Sequence, residues 1–222
     1  QQKEELMTSL PTDYILKTPM TLLNEEKKDV AIMLDVDQKL LNELLDLPES
    51  KLNFIQLIST GIDYLPLDKL AEKNIILANG RGLQKNSVSE TVLGMLLSYQ
   101  RGILESSKQR EKHLWQHPKG QMTTMVNKKI LITGTGIIPQ QLAKILSLLG
   151  AEISGVNTTG HPVENFSATY SLENLPKAVK NQDIVINLLP GTPATDQIFT
   201  EEIFSLMKTG SIFVNVGRGN AV

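Results

Sequence analysis

The run Lys129–Gly160, KILITGTGIIPQQLAKILSLLGAEISGVNTTG, decides how this chain is read. It opens with an apolar run, Ile130–Ile132, bounded by lysines and glycine, the pattern of a short buried strand. Gly134-Thr135-Gly136 follows as a glycine-rich turn. An amphipathic segment then places Leu142, Ile145, Leu146 and Leu149 on one face at helical spacing, with Gly150 in the stop position. Ile153–Val156 reads as a second strand. Strand, glycine turn, helix and strand make a βαβ unit suited to a dinucleotide. Gly134 permits the tight turn, Gly136 lets a pyrophosphate approach the backbone, and the helix N-terminus supplies free N–H groups and positive dipole. Thr135, Ile137 and Ile138 complete this expected cradle.

The fingerprint departs from G-x-G-x-x-G at one place, because Pro139 stands where the third glycine belongs. Proline loses no needed N–H in the first turn of a helix, so the helix is expected to survive. Close packing of helix on strand loses the support a third glycine gives. A purely structural glycine turn is the alternative, and the strand before and helix after favour a nucleotide.

The 222 residues suffice for one large or two small domains, and a net charge of -2 gives no sign of nucleic acid or of a membrane surface as partner. Cysteine is absent, which excludes disulfides and cysteine-based metal or nucleophile chemistry and fits a reducing cytoplasm. No apolar run approaches a membrane span, and the N-terminal Gln1-Gln2-Lys3-Glu4-Glu5 is not a signal peptide. Without an initiator methionine, residue 1 is not expected to be the native start.

Taken in order, residues 3–10 read as a helix stopped by Pro11, and 13–17 as a strand. Strands are expected at 29–34, 54–58 and 75–78, with helices at 37–47 and 66–72 between them. A long helix is expected from Ser87 to about Trp115, turning Val92, Met95, Leu96 and Tyr99 inward, with polar turns over 117–128. After the βαβ unit come a short helix at 172–179, a strand at 183–189, a helix at 201–207 and a strand at 211–216. The alternation predicts α/β architecture, two Rossmann/flavodoxin-like parallel-sheet domains, with residues 1–85 as one and 86–222 as the other.

Four stretches carry a family resemblance: Ile58-Ser-Thr-Gly-Ile-Asp63, Val88-Ser-Glu90, Asn187-Leu-Leu-Pro-Gly-Thr-Pro193, and Met207-Lys-Thr-Gly-Ser-Ile-Phe-Val-Asn-Val-Gly-Arg-Gly219. The chain resembles the D-isomer-specific 2-hydroxyacid dehydrogenases over nearly its whole length, with a phosphoglycerate dehydrogenase-like pattern. The resemblance implies a split substrate domain, an inserted NAD- or NADP-binding domain, a cleft between them and a homodimer. It also implies that Arg218 binds the carboxylate of a 2-oxo acid and polarises its carbonyl, work that suits an always-charged planar fork. Val216 and Gly217, just before it, are placed with the cofactor residues. Thr60, Gly61 and Ile62 would hold the substrate carboxylate through N–H groups of a strand-to-helix turn, the plainer alternative being turn chemistry alone. Arg81 is a weaker candidate for the substrate side. Leu189 and Pro190 resemble the pair lining an adenosine site, with Thr195 near them as a hydroxyl contact.

Asn157 stands where an acidic residue would bind the ribose of NAD, with Thr158 and Thr159 after it. An amide neither repels a 2′-phosphate nor attracts one, and His161 is the only cationic candidate beside it. The reading leans to tolerance of NADP and leaves the preference open. The family's hydride chemistry uses a histidine acid/base oriented by a glutamate, both downstream of the arginine motif, whereas the sequence ends at Val222. It is therefore expected to be a piece, or the ordered part, of a longer protein. His113 and His117 lack the glutamate of H-E-x-x-H, and no metal is expected. The leading expectation is an oxidoreductase acting on a small D-2-hydroxy or 2-oxo acid. Its rivals are a dinucleotide-binding, corepressor-like protein without turnover and an inactive fragment.

Overall fold

The computed structural model describes Glu5, Pro11 and residues 13–116 and 122–222. Nearly all of the helix expected over 3–10, His117 and the first part of the polar stretch 117–128 lie outside the described residues. The chain divides into two compact units, Gln1–Gly80 and Arg81–Val222.

The first unit holds three parallel strands in the order β1 (Ile32–Leu34), β2 (Phe54–Gln56) and β3 (Ile76–Ala78). Helices α1 (Gln38–Asp46) and α2 (Leu67–Glu72) make the crossovers. Asp37 starts α1 by accepting the Leu40 N–H at 2.9 Å, one orphan donor of a helix N-terminus satisfied. Leu41, Leu44 and Leu45 recur at helical spacing and close over Ile55 and Leu57 as a core of their own. The strand expected at 13–17 is not formed. Tyr14 and Ile15 are exposed, and Lys17 pairs with Glu26.

The second unit holds five parallel strands in the order β6-β5-β4-β7-β8, namely β4 (Lys129–Thr133), β5 (Glu152–Asn157), β6 (Ala168–Ser171), β7 (Ile184–Asn187) and β8 (Ile212–Asn215). This is a Rossmann-type order that reverses direction between β4 and β7, so the crevice for a ligand opens beyond the C-terminal ends of those two strands. Ile130, Leu131, Ile132, Ile184, Val185 and Ile186 are fully buried, as strands covered on both faces should be. β6 escaped the sequence reading because it is an edge strand, Ala-Thr-Tyr-Ser, with no apolar run to announce it.

The long helix expected over 87–115 is two helices, α3 (Lys85–Gln100) and α4 (Ile103–Glu111), broken where Gly102 takes a left-handed φ of 63°. Val92 and Leu96 do turn inward, but Met95 and Tyr99 are exposed. The buried stripe runs through Ser89, Val92, Leu96 and Gln100, narrower than the apolar letters implied. The remaining helices are α5 (Ile137–Leu148), α6 (Leu175–Ala178) and α7 (Glu201–Leu206).

At the N-terminal ends of the central strands, Asp183 accepts the Lys129 N–H at 2.9 Å and the Lys208 ammonium at 2.6 Å. The Lys208 hydrogen bond, reinforced by the Lys129 N–H and by the charge of Lys208, holds the Asp183 carboxyl below its ordinary range against the opposing effect of burial. A lowered folded-state pKa contributes stability above the ordinary value and loses it as pH falls through the lowered one. Asp183→Asn should therefore lower the melting temperature at neutral pH, and the gap to wild type should close below about pH 4 in thermal melts.

Candidate functional site

Three turns gather beyond the C-terminal ends of β4, β7 and β8. The first runs from Gly134 to Ile138. Gly134 has a φ of 93°, and a side chain there would stand 3.0 Å from the Leu188 carbonyl oxygen, so glycine is required twice over. Its N–H donates to Val156 O at 2.8 Å. The next four N–H groups, of Thr135, Gly136, Ile137 and Ile138, donate to no acceptor among the described residues. Gly136 itself is exposed, and a Cβ on it would meet nothing within 4 Å. Four unpaired donors at the positive end of a twelve-residue helix fit the pyrophosphate of a dinucleotide.

Pro139 is buried in the first turn of α5 and the helix continues unbroken through Leu148. The missing third glycine does not cost the helix. The Thr135 side chain leans instead on Gly155 of β5, where a Cβ would lie 2.8 Å from Thr135 Cγ2 and from Phe166 Cδ1.

The second turn, Leu188–Gly191, is gripped on both sides. A Cβ on Gly217 would stand 2.7 Å from Leu189 O and 3.1 Å from Leu189 N, just as one on Gly134 would strike Leu188 O. The third turn, Val216–Arg218, therefore packs main chain to main chain against the second. Val216 donates its N–H to Asn187 O at 3.1 Å, and the Arg218 stem lies over Gly191, whose Cβ would be 3.3 Å from Arg218 Cγ. Arg218 is half-buried, and its Nη1 donates to Gly217 O at 3.0 Å. The cradle, Leu189, Pro190, Val216, Gly217 and Arg218 thus lie at one end of one sheet.

Two cofactor candidates have side chains that are already engaged. Asn157 is buried; its Oδ1 accepts the N–H groups of Thr159 (3.2 Å) and Gly160 (2.6 Å), and its Nδ2 donates to His161 O at 2.9 Å. It shapes the turn that exposes Thr158 and Thr159. Thr195 is likewise buried, its hydroxyl donating to Pro190 O at 2.6 Å and accepting the Thr192 N–H at 3.0 Å, so it fastens the loop after β7 from within.

In the first unit, the turn after β2 is tied to the end of β3. Gly80 N–H donates to Ser59 O at 2.8 Å and Asn79 Nδ2 to Thr60 O at 2.9 Å. The N–H groups of Thr60, Gly61 and Ile62 donate to no acceptor among the described residues. Arg81 is exposed at the start of the second unit. Among the described residues no three His, Cys, Asp or Glu side chains are grouped to hold a metal ion.

Residues 93–222 match the family model for the NAD binding domain of D-isomer specific 2-hydroxyacid dehydrogenases. The chain belongs to that family. A solved D-isomer specific 2-hydroxyacid dehydrogenase family protein from Aeromonas salmonicida shares 30% identity with a TM-score of 0.87, covering 100% of this chain and 70% of that one. Phosphoglycerate dehydrogenase from Lactobacillus plantarum shares 34% identity at a TM-score of 0.60, covering 100% and 71%. D-3-phosphoglycerate dehydrogenase of Methanocaldococcus jannaschii is 25% identical over 206 residues, 92% of this chain and 39% of that enzyme. The chain spans 58% or less of the length of the first curated relatives it matches.

Sequence reasoning quoted Asn187 and Asn215 within the family stretches without giving either a role, and it missed Thr133, although a signal was present. The strands Ile-Leu-Ile-Thr, Ile-Val-Ile-Asn and Ile-Phe-Val-Asn each end in a polar residue, and the three pair side by side in register.

Two glycines of this site should respond differently to the same change. Gly217→Ala drives a methyl into a main-chain oxygen that cannot yield, and should cost about 1–3 kcal/mol in denaturant unfolding. Gly136→Ala enters open space and should cost no more than about 1 kcal/mol. It should nevertheless weaken NADH binding in fluorescence titration if the pyrophosphate approaches the backbone at this glycine, as the sequence reading expects.

Proposed function

We propose that the protein is an NAD(P)-dependent oxidoreductase that interconverts a D-2-hydroxy acid and its 2-oxo acid. The observation that carries this reading is the arrangement in the second unit, where a run of unpaired N–H groups and a half-buried arginine occupy adjacent turns at one end of one parallel sheet. When bound, the nicotinamide cofactor gives or takes the hydride. The chain's own residues hold the reactants. The N–H groups of Thr135 to Ile138 take the pyrophosphate, and Leu189 and Pro190 form an apolar wall for the adenosine. Arg218 pairs with the carboxylate of the acid and draws electron density from its carbonyl, which favours hydride arrival. The free N–H groups of Thr60, Gly61 and Ile62 are donors of the kind that hold a carboxylate.

Either nicotinamide cofactor is accepted in this reading. With the Asn157 amide committed to its own turn and no carboxylate at that position, nothing there repels a 2′-phosphate. We further assign a homodimer, supported by Met95, Tyr99, Ile103 and Leu104, which are exposed on α3 and α4. No helix among the described residues is long and apolar enough to cross a membrane, and together with the lack of cysteine this supports a cytoplasmic enzyme.

The test is NADH consumption by the full-length protein, followed by absorbance across a panel of short 2-oxo acids. Arg218→Lys should reduce kcat/KM by about 10–100-fold, the loss expected when a forked charged contact becomes a single one. Unchanged kcat/KM would remove Arg218 from the site, and cofactor binding without consumption on any acid would favour a binding protein.

A further inference from the structure

Five polar contacts join the three turns through two side chains, Asn187 and Asn215. The Thr133 hydroxyl donates to Asn187 Oδ1 at 2.9 Å, and the Leu189 N–H donates to the same oxygen at 3.1 Å. Asn187 Nδ2 donates to Asn215 Oδ1 at 3.0 Å. Asn215 Oδ1 also accepts the Gly217 N–H at 3.2 Å, while Asn215 Nδ2 donates to Arg218 O at 3.0 Å. Thr133 is the last residue before the Gly134 turn, Leu189 lies in the second turn, and Gly217 and Arg218 form the third. Thr133 and Asn187 are fully buried. Asn215, at the end of β8, is exposed. A buried polar group such as the Asn187 amide is costly unless it is paired, which favours the bonded arrangement.

The amide orientation is fixed from both sides. Two donors, a hydroxyl and a main-chain N–H, converge on one end of Asn187, which leaves its NH2 end to face Asn215. Reversing the amide would set donor against donor at the Leu189 N–H and acceptor against acceptor at Asn215 Oδ1. Asn215 is constrained in the same way, because its oxygen meets the Gly217 N–H and its nitrogen meets the Arg218 carbonyl. The geometry of the Arg218 main chain is thus referred back, through two carboxamides, to the strand that carries the nucleotide turn.

From this geometry we infer that Asn187 is a positioning residue, holding the Arg218 turn in register with the cofactor turn so that acid and cofactor meet in one geometry. The inference rests on the reading of Arg218 as the carboxylate ligand given above. Asn187 touches neither reactant. Its action passes through Asn215 to the main chain of Gly217 and Arg218.

Asn187→Leu strips a buried group of three partners and lowers stability, so the decisive variants are at Thr133. Thr133→Val keeps the shape and removes one of the two donors that hold the Asn187 oxygen; Thr133→Ser restores it. In 15N-labelled protein, Thr133→Val should move the Gly217 amide and Arg218 Nε resonances, and Thr133→Ser should bring them back. In calorimetry on the NADH complex, oxamate affinity should fall about tenfold in Thr133→Val, the scale of one lost hydrogen bond, and recover in Thr133→Ser. NADH affinity should change by less than about threefold, since the cradle N–H groups are untouched. Absence of any resonance shift at Gly217 and Arg218 in Thr133→Val would overturn the inference, as would equal effects of valine and serine. Should the shifts appear while the wild-type NADH complex binds no oxamate, the positioning link stands and the assignment of Arg218 to the carboxylate falls.

Discussion

The second unit depends on one close approach, that of the Leu188–Leu189 main chain between Gly134 and Gly217. A side chain at either glycine would stand 3.0 Å or less from a carbonyl oxygen. Packing main chain against main chain lets three strand ends finish within one narrow front. That front brings the run of unpaired N–H groups and the Arg218 turn to the same end of the sheet. The apolar interiors of β4, β7 and β8 set the strands side by side, and the glycines let the turns beyond them close up.

The opposite end of the sheet has a different task. There Asp183 ties the start of β7 to Lys129 of β4 and to Lys208 just before β8, fixing the register from which the strands run. Buried aliphatic residues carry the pairing through the middle, and the polar residues Thr133, Asn187 and Asn215 take over at the far end. A parallel strand here begins on an ion pair and ends on an amide network. The polar ties thus differ in kind at the two ends of one sheet.

Much of this was legible in the sequence because the deciding signals were local. An apolar strand, a glycine turn and an amphipathic helix fixed the βαβ unit, and Gly134 behaves as read, with a left-handed φ. Pro139 fits the first turn of its helix for the reason anticipated, the lack of any needed N–H. What failed depended on neighbours that the chain does not name. The 13–17 segment has strand-like residues, yet Tyr14 and Ile15 stay exposed and pair with no strand among the described residues. Edge strand β6 lacks the apolar run that marks a buried strand. The break at Gly102 needed a left-handed residue that helical periodicity does not report. Asn157 and Thr195 stand where cofactor contacts were expected, yet their polar atoms bond within their own loops, a distinction that side-chain geometry alone reveals.

The central claim is that the Thr135–Ile138 N–H groups form the anion cradle of a dinucleotide, and the most direct measurement is a crystal structure of the protein grown with NADH. The account predicts pyrophosphate oxygens within about 3 Å of the main-chain nitrogens of Ile137 or Ile138, with the adenosine against Leu189 and Pro190. A dinucleotide bound elsewhere on the chain, or a pyrophosphate held only by side chains away from this turn, would contradict it.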